Sequence, residues 1–156
     1  MTTPQIIAHR GASYLAPENT LVAFRKAMEI GADGVEMDVQ KTYDNELVIH
    51  HDYMVDMHTD ISGQIYDLTM GELKTLDFGS WKDAIYANER IATLQEALEL
   101  CAGMEGTQVQ LELKSPLQDD PDFRAPGAWM QSAPPGSPTD SPSSPSTTPS
   151  CGRQSS

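Results

Sequence analysis

The amino-acid sequence predicts an α/β fold, because the patterns of strands and helices alternate along residues 1–116. Residues 35–39 and 108–114 alternate apolar with polar side chains, which is typical of strands with one buried face. Thr69 and Thr93 each open a Thr-x-x-Glu sequence, the form of a capping box at the start of a helix. Helices that connect strands favour a parallel sheet with right-handed crossovers.

The predicted strands and helices follow one another along the chain with short connections. The first helix begins at Asn19 or Thr20, either of which suits the N-cap, and Gly31 ends it. The turn at Asp44 and Asn45 is too short for a parallel crossover, so the strands beside it should form a hairpin, or one is not a sheet strand. In order, the predicted elements are a strand at 5–8, a helix at 20–30, strands at 35–39 and 47–49, helices opened by Thr69 and Thr93, and a strand at 108–114.

The composition of the chain changes near Pro116. In residues 132–156, 18 of 25 side chains are Ser, Pro or Thr, and almost none is large and apolar. Such a segment buries too little surface to offset its chain entropy. We therefore predict a structured domain over residues 1–116 and a disordered, Ser/Pro-rich tail over residues 117–156.

The chain is acidic, with a formal net charge of −13, and 19 of its 23 acidic residues lie within residues 1–116. This charge argues against nucleic acid and anionic membrane surfaces as partners. No apolar run reaches membrane-spanning length, and residues 1–5 do not resemble a secretory signal. Cys101 and Cys151 lack metal-ligand spacing and indicate reduced thiols. We therefore expect a cytoplasmic protein without a transmembrane segment.

Two carboxylates share one face of the predicted strand 35–39. Because side chains alternate along a strand, Glu36 and Asp38 lie opposite its apolar residues. Two carboxylates this close repel each other, and a divalent cation such as Mg²⁺ or Ca²⁺ would remove the repulsion. The alternative interpretation is the solvated face of an edge strand.

Further polar groups accompany the ends of the other strands. His9 and Arg10 follow the first strand, and Glu112 and Lys114 share a face of the last one, where an exposed ion pair is the alternative. The adjacent histidines after strand 47–49 point to opposite faces, so at most one shares the site with the other groups. Carboxylates for a metal, cations for a phosphate and histidines for protons are the inventory of metal-assisted phosphoryl chemistry.

In order and spacing, these groups resemble the glycerophosphodiester phosphodiesterase family. The motifs that carry the resemblance are His9-Arg10-Gly11, Pro17-Glu18-Asn19-Thr20, Ala23-Phe24, Gly31-Ala32-Asp33, Glu36-x-Asp38-Val39, Thr42-x-Asp44, His51-Asp52, Glu72-Leu73, Thr93-Leu94-x-Glu96 and Glu112-x-Lys114. The resemblance covers residues 5–116. It implies an α/β fold that is a partial TIM barrel with its site at the C-terminal ends of the strands, and a small insertion at about residues 53–90.

The resemblance also implies the reaction and the residues that perform it. The reaction is metal-dependent hydrolysis of a small-molecule glycerophosphodiester to glycerol 3-phosphate and an alcohol. The implied roles are metal binding for Glu36, Asp38 and Glu112, acid and base catalysis for His9 and His51, and phosphate binding for Arg10 and Lys114. Asn19 also matches a motif, although a role as helix cap suffices to explain it. Met57 and His58 stand where the family commonly has an arginine.

The length of the chain bears on its activity. A complete TIM barrel takes roughly 250 residues, so the sequence predicts a barrel truncated about halfway, after Lys114. The last strand would be an open edge that invites self-association, or pairing with a partner that supplies the missing strands. We therefore expect little or no activity from the chain alone. Two alternatives stay open: an inactive product that acts only through binding, and another barrel phosphodiesterase such as phosphatidylinositol-specific phospholipase C or sphingomyelinase D.

Overall fold

A computed structural model describes residues 4–114, so the predicted tail at 117–156 lies outside the described residues. In chain order the elements are β1 (Ile7–His9), α1 (Leu21–Glu29), β2 (Gly34–Lys41), β3 (Leu47–Ile49), a 3₁₀ helix (Ile65–Asp67), α2 (Met70–Leu73), a 3₁₀ helix (Ala84–Tyr86), β4 (Ala92–Thr93), α3 (Leu94–Ala102) and β5 (Gln108–Leu113). Every strand and helix predicted before residue 115 is present. The first strand begins at Ile7 rather than at residue 5, and β4 was not predicted.

Strand β2 is the centre of the sheet. β1 and β5 both pair with it in parallel, on opposite sides, and Asp38 of β2 stands in register with Glu112 of β5. β3 pairs antiparallel with the C-terminal half of β2, with Val39 opposite Ile49, which confirms the predicted hairpin. Within residues 4–114, the outer edges of β1 and β5 pair with no further strand.

Helices α1 and α3 cover one face of this sheet. Val35, Met37 and Val39 point from β2 into the apolar layer beneath the helices and are fully buried. Burying a side chain of this size contributes about 1.5–3 kcal/mol to stability. Because apolar and acidic residues alternate along β2, burying the apolar set under the helices leaves Glu36 and Asp38 on the other face.

The helices begin where the sequence predicts. Thr20 is the N-cap of α1, and its side chain accepts a hydrogen bond from the backbone N–H of Ala23. Thr69 and Thr93 each form a complete capping box with the glutamate three residues later. None of the helices within the described residues is long and apolar enough to cross a membrane.

Residues 53–90, where the resemblance predicts an insertion and which we call the insertion, pack around a second apolar cluster. The insertion contains two 3₁₀ helices and the four-residue helix α2, and it packs on the side of β3. The buried members of the cluster are Val55, Ile65, Leu73 and Phe78 of the insertion, together with Val48 of β3 and Ile91. The insertion also places His58 and Trp81 beside the C-terminal end of β3, where they line a cleft with His51.

Candidate active site

Three carboxylates meet on the face of the sheet away from the helices. Glu36 and Asp38 project from β2, and Glu112 projects from β5, where the parallel register sets it beside Asp38. One oxygen of each lies within 4.8 Å of one oxygen of the other two. Asp38 is fully buried, whereas Glu112 is exposed to solvent. The sheet thus brings the three predicted metal ligands together.

The donor atoms of this cluster fit a divalent cation. Glu36 Oε1 is buried and accepts no hydrogen bond from the described residues, which is costly for a buried carboxylate, and the buried Asp38 Oδ1 has only the ammonium of Lys114 as its partner. Burial raises the pKa of Glu36, and the negative charges of Asp38 and Glu112 raise it further. A cluster of oxygen ligands with surplus negative charge is the environment that Mg²⁺ and Ca²⁺ prefer.

Two cations flank Asp38. Arg10 Nε lies 3.4 Å from Asp38 Oδ2, and Arg10 Nη1 donates a hydrogen bond of 2.8 Å to Glu18 Oε1. Lys114 Nζ lies 2.9 Å from Asp38 Oδ1 and 2.6 Å from Glu112 Oε1. Burial lowers the pKa of Lys114, but the contacts with Glu112 and Asp38 outweigh burial and leave the pKa raised. Lys114 therefore carries its charge at neutral pH.

Asn19 corrects one interpretation of the sequence. Thr20 rather than Asn19 caps helix α1. Asn19 Nδ2 donates a hydrogen bond of 2.8 Å to Asp38 Oδ2, and its Oδ1 accepts one of 3.3 Å from the backbone N–H of Asp38. Its φ of +56° is left-handed, a conformation that asparagine tolerates better than most residues. Asn19 fixes the orientation of the Asp38 carboxylate.

The two predicted catalytic histidines occupy different positions. His9 Nε2 lies 3.8 Å from Glu36 Oε2, and the His9 side chain is 67% exposed. His51 Nδ1 lies 2.7 Å from Asp52 Oδ1. His51 lines a cleft with Glu18 and Asn19, but among the described residues it makes no hydrogen bond or ion pair with the carboxylate cluster. The contacts therefore join six of the seven predicted residues into one network and leave His51 at its margin.

His50 and His58 form a pair that the sequence analysis did not predict. His50 Nε2 lies 3.3 Å from His58 Nδ1, and the ring centroids are 5.1 Å apart. Phe78 packs edge-on against His50, and Trp81 packs against His58. Burial lowers the pKa of His50 to about 3 and also lowers the pKa of His58. Both rings are therefore neutral at pH 7.

His58 is also a neighbour of the candidate site. It lines the same cleft as His51 and Glu18. The signal available in the sequence was the pair Met57 and His58 at the place where the family commonly has an arginine. The sequence shows that this chain differs from the family at this place, but only the fold shows that His58 lines the cleft.

The architecture defines a class of protein. Parallel strands alternate with helices, and polar side chains converge near the C-terminal ends of the strands, as in TIM barrels. The Glycerophosphoryl diester phosphodiesterase family matches residues 9–121, and the chain belongs to this family. The predicted family and the partial barrel fold are both confirmed, whereas the roles of the seven site residues stay predictions.

Related proteins extend well beyond this chain. A glycerophosphodiester phosphodiesterase of Caldanaerobacter subterraneus is 49% identical over 110 residues, which are 70% of this chain and 45% of that protein. Glycerophosphodiester phosphodiesterase 1 of Rattus norvegicus is 45% identical over 97 residues, or 61% of this chain and 29% of the relative. The chain spans less than half the length of these two curated relatives.

Solved structures of the family share the fold. The crystal structure of a glycerophosphodiester phosphodiesterase from Agrobacterium tumefaciens has a TM-score of 0.68 and 35% identity, with 71% of this chain and 47% of that chain covered. An Oleispira antarctica phosphodiesterase in complex with the product sn-glycerol-3-phosphate has a TM-score of 0.67 and 43% identity, covering 74% and 47%. The aligned part of this chain therefore corresponds to under half of each solved chain.

Proposed function

We propose that the chain carries part of the active site of an enzyme that hydrolyses glycerophosphodiesters to glycerol 3-phosphate and an alcohol, with Mg²⁺ or Ca²⁺ as cofactor. The observation that carries the proposal is the cluster of Glu36, Asp38 and Glu112 beside Arg10 and Lys114. Family membership supports the reaction. The product bound to the Oleispira antarctica phosphodiesterase supports a small-molecule glycerophosphodiester as substrate.

In this proposal the carboxylates bind the metal and the two cations bind the phosphate. A metal held by Glu36, Asp38 and Glu112 would bind a phosphate oxygen and polarise phosphorus. Arg10 presents a guanidinium that Glu18 already holds in place through a hydrogen bond of 2.8 Å. Lys114 adds a second positive charge. Local cations are necessary because the chain as a whole, with a net charge of −13, repels phosphate.

The two histidines would move the protons. One accepts a proton from the nucleophile, which is water or the glycerol hydroxyl beside the phosphate, and the other protonates the leaving alcohol. His9 is exposed next to the carboxylate cluster, so it is accessible to a substrate. Asp52 lies against Nδ1 of His51 and favours the tautomer in which Nε2 is the free nitrogen of the ring.

Binding and turnover together test this proposal. Purified chain is titrated with sn-glycerol 3-phosphate in the presence and absence of Mg²⁺ or Ca²⁺, and release of glycerol 3-phosphate from glycerophosphocholine is assayed. We expect metal-dependent binding that weakens in Arg10→Gln, and any turnover to disappear in His9→Ala and His51→Ala. Phosphate-ester binding that ignores the metal would contradict the proposal.

A second candidate function follows from the open sheet. Within residues 4–114, β1 and β5 leave unpaired outer edges, and a site displaced by about 1 Å can lose on the order of a hundredfold in rate. We infer that residues 1–156 by themselves are weakly active or act only through binding, unless further strands from any source complete the sheet. Sedimentation and specific activity across a range of chain concentrations separate these cases. Specific activity that rises with self-association indicates an enzyme that is completed by assembly. A fully active monomer contradicts this inference.

A further inference from the structure

Lys114, the predicted phosphate ligand, contacts the same carboxylates that would bind the metal. Its backbone N–H donates a hydrogen bond of 3.0 Å to Val39 O, so the residue is anchored alongside β2. Its ammonium bridges Asp38 Oδ1 and Glu112 Oε1 at 2.9 Å and 2.6 Å. The side chain is only 11% exposed. Lys114 therefore faces the carboxylates of the candidate metal site.

The oxygens of Asp38 are not interchangeable. Asn19 Nδ2 donates to Oδ2 at 2.8 Å, and Arg10 Nε lies 3.4 Å from the same oxygen. Oδ1 accepts no hydrogen bond of good geometry from the described residues, and Lys114 is its ion-pair partner. A metal held by this carboxylate has Oδ1 as its available ligand, which is the oxygen that the ammonium contacts.

The two cations of the site also differ in how firmly they are held. Glu18, which is not a candidate metal ligand, fixes the Arg10 guanidinium. Among the described residues, the carboxylates that hold the Lys114 ammonium are both candidate metal ligands. A divalent cation bound by Asp38 and Glu112 would repel the ammonium of Lys114. It would also coordinate the carboxylate oxygens that the ammonium contacts. The flexible four-carbon stem of Lys114 permits the ammonium to leave while the backbone stays on β2.

From this geometry we propose that Lys114 and the divalent metal exclude each other from Asp38 and Glu112, so that metal binding releases the ammonium of Lys114 to the substrate phosphate. Binding is therefore ordered: the metal first, then the phosphate ester. Lys114 is then a phosphate ligand that couples the two binding events, and Arg10 is the pre-arranged phosphate ligand. This inference rests on the proposed function, because it takes the metal and phosphate sites from it.

Amine labelling of the wild-type chain tests the exchange without any substitution. The rate of acetylation of each lysine is measured by peptide mass spectrometry with and without Mg²⁺. We expect Mg²⁺ to increase labelling of Lys114, because the ammonium loses its carboxylate partners. Lys74 is the matched control: its Nζ lies 2.7 Å from Glu96 Oε2, and neither residue belongs to the candidate site. Unchanged or reduced labelling of Lys114 in the Mg²⁺-bound chain overturns the inference.

Calorimetric titration of Lys114→Met gives a second, independent measurement. Because the ammonium no longer competes, Mg²⁺ should bind the variant on the order of tenfold more tightly than the wild type. The same titration should show that Mg²⁺ strengthens binding of sn-glycerol 3-phosphate less in the variant than in the wild type. Lys74→Met should leave both affinities unchanged. Mg²⁺ affinity that is equal or weaker in Lys114→Met contradicts the inference.

The outcomes separate this inference from the function beneath it. Failure of Mg²⁺ to bind the wild type rejects the proposed metal site and the exchange together. Mg²⁺ binding without a change at Lys114 rejects the exchange alone and leaves the proposed function standing. If Lys114→Met does not fold, the labelling experiment on the wild type still decides the question.

Discussion

Asp38 and His50 are both buried and are joined by a backbone hydrogen bond of 2.9 Å, yet their surroundings are opposite. Asp38 is surrounded by polar and charged groups: Asn19, Arg10 and Lys114 all contact its carboxylate. His50 is surrounded by rings and has no hydrogen bond at Nδ1 within the described residues. The sheet face keeps a buried carboxylate among cations, and the insertion keeps a buried histidine neutral.

The molecule holds charge at a cost to stability on the sheet face and not around His50. A neutral buried ring costs little while it stays unprotonated, so the insertion can be packed like an ordinary core. The charged cluster includes Glu36, whose pKa is raised by burial and then by Asp38. Charges assembled against their own repulsion are typical of sites that bind ions or perform chemistry.

Replacing the buried carboxylate should have the largest effect on stability. Asp38→Asn leaves Arg10 and Lys114 without their shared partner in a buried place, and should reduce the free energy of unfolding by about 3 kcal/mol. Urea unfolding at neutral pH with a chelator present measures it. Asp60→Asn, at an exposed position, is the control. A loss below about 1 kcal/mol would mean that the cations do not depend on Asp38.

Two glycine substitutions probe the two regions separately. A Cβ on Gly34 would collide with Gln108 O across the β2–β5 pair, and a Cβ on Gly79 would collide with Tyr86 O inside the insertion. Each alanine variant should lose about 2 kcal/mol of unfolding free energy. Only Gly34→Ala should also weaken Mg²⁺ binding, because β2 and β5 carry the candidate ligands. Equal effects of both variants on Mg²⁺ affinity would show that the candidate metal site does not depend specifically on the β2–β5 pair.

His50 should make the insertion sensitive to acid. Its pKa is about 3 in the folded chain, against 6.5 when unperturbed, so below pH 6.5 the unfolded chain binds a proton that the folded chain does not. Stability is then lost as the pH falls from 6.5 towards 3, by about 1.4 kcal/mol per pH unit from this residue. The lowered pKa of His58 adds to the loss in the same direction.

The variant His50→Gln tests this dependence. It removes one titrating group and retains a neutral polar side chain, so the free energy of unfolding should fall less steeply between about pH 6.5 and about pH 5. Urea unfolding at several pH values measures the slope, and the comparison of slopes does not depend on the cost of the substitution itself. A slope identical to that of the wild type would show that His50 is not kept neutral by burial.

The smallest effect should be a gain in stability. The raised pKa of Glu36 means that its negative charge costs folding energy above that pKa, so Glu36→Gln should stabilise the chain in chelator by up to about 1 kcal/mol. Glu105→Gln, at an exposed turn, should change nothing measurable. A destabilised Glu36→Gln variant would indicate that the carboxylate is already satisfied by the protein, contrary to the unpaired Oε1.

The sequence predicts the parts of the site that depend on local pattern. The alternation of residues 35–39 correctly assigns Glu36 and Asp38 to the face opposite the core, because side chains alternate along any strand. The short turn after Lys41 correctly predicts the hairpin. Family motifs predict the fold beyond these local rules, and the match over residues 9–121 confirms the family.

Contacts that depend on the register between strands or on distant loops cannot be predicted from the local sequence pattern. The pairing of Asp38 with Glu112 needs the register of β2 with β5, whose paired residues are 74 positions apart in sequence. Asn19 looks like a helix cap until the fold places it against Asp38. The contact of His58 with His50 needs the path of the insertion. In each case tertiary packing determines which residues are in contact.

We propose above all that Glu36, Asp38 and Glu112 together hold one divalent metal. Calorimetric titration of Mg²⁺ and Ca²⁺ into the wild type and into the Glu36→Gln, Asp38→Asn double variant tests it most directly. We expect saturable binding of one ion by the wild type and loss of that binding in the double variant, with both chains still giving a cooperative melt. Binding of unchanged affinity in a folded double variant would contradict it.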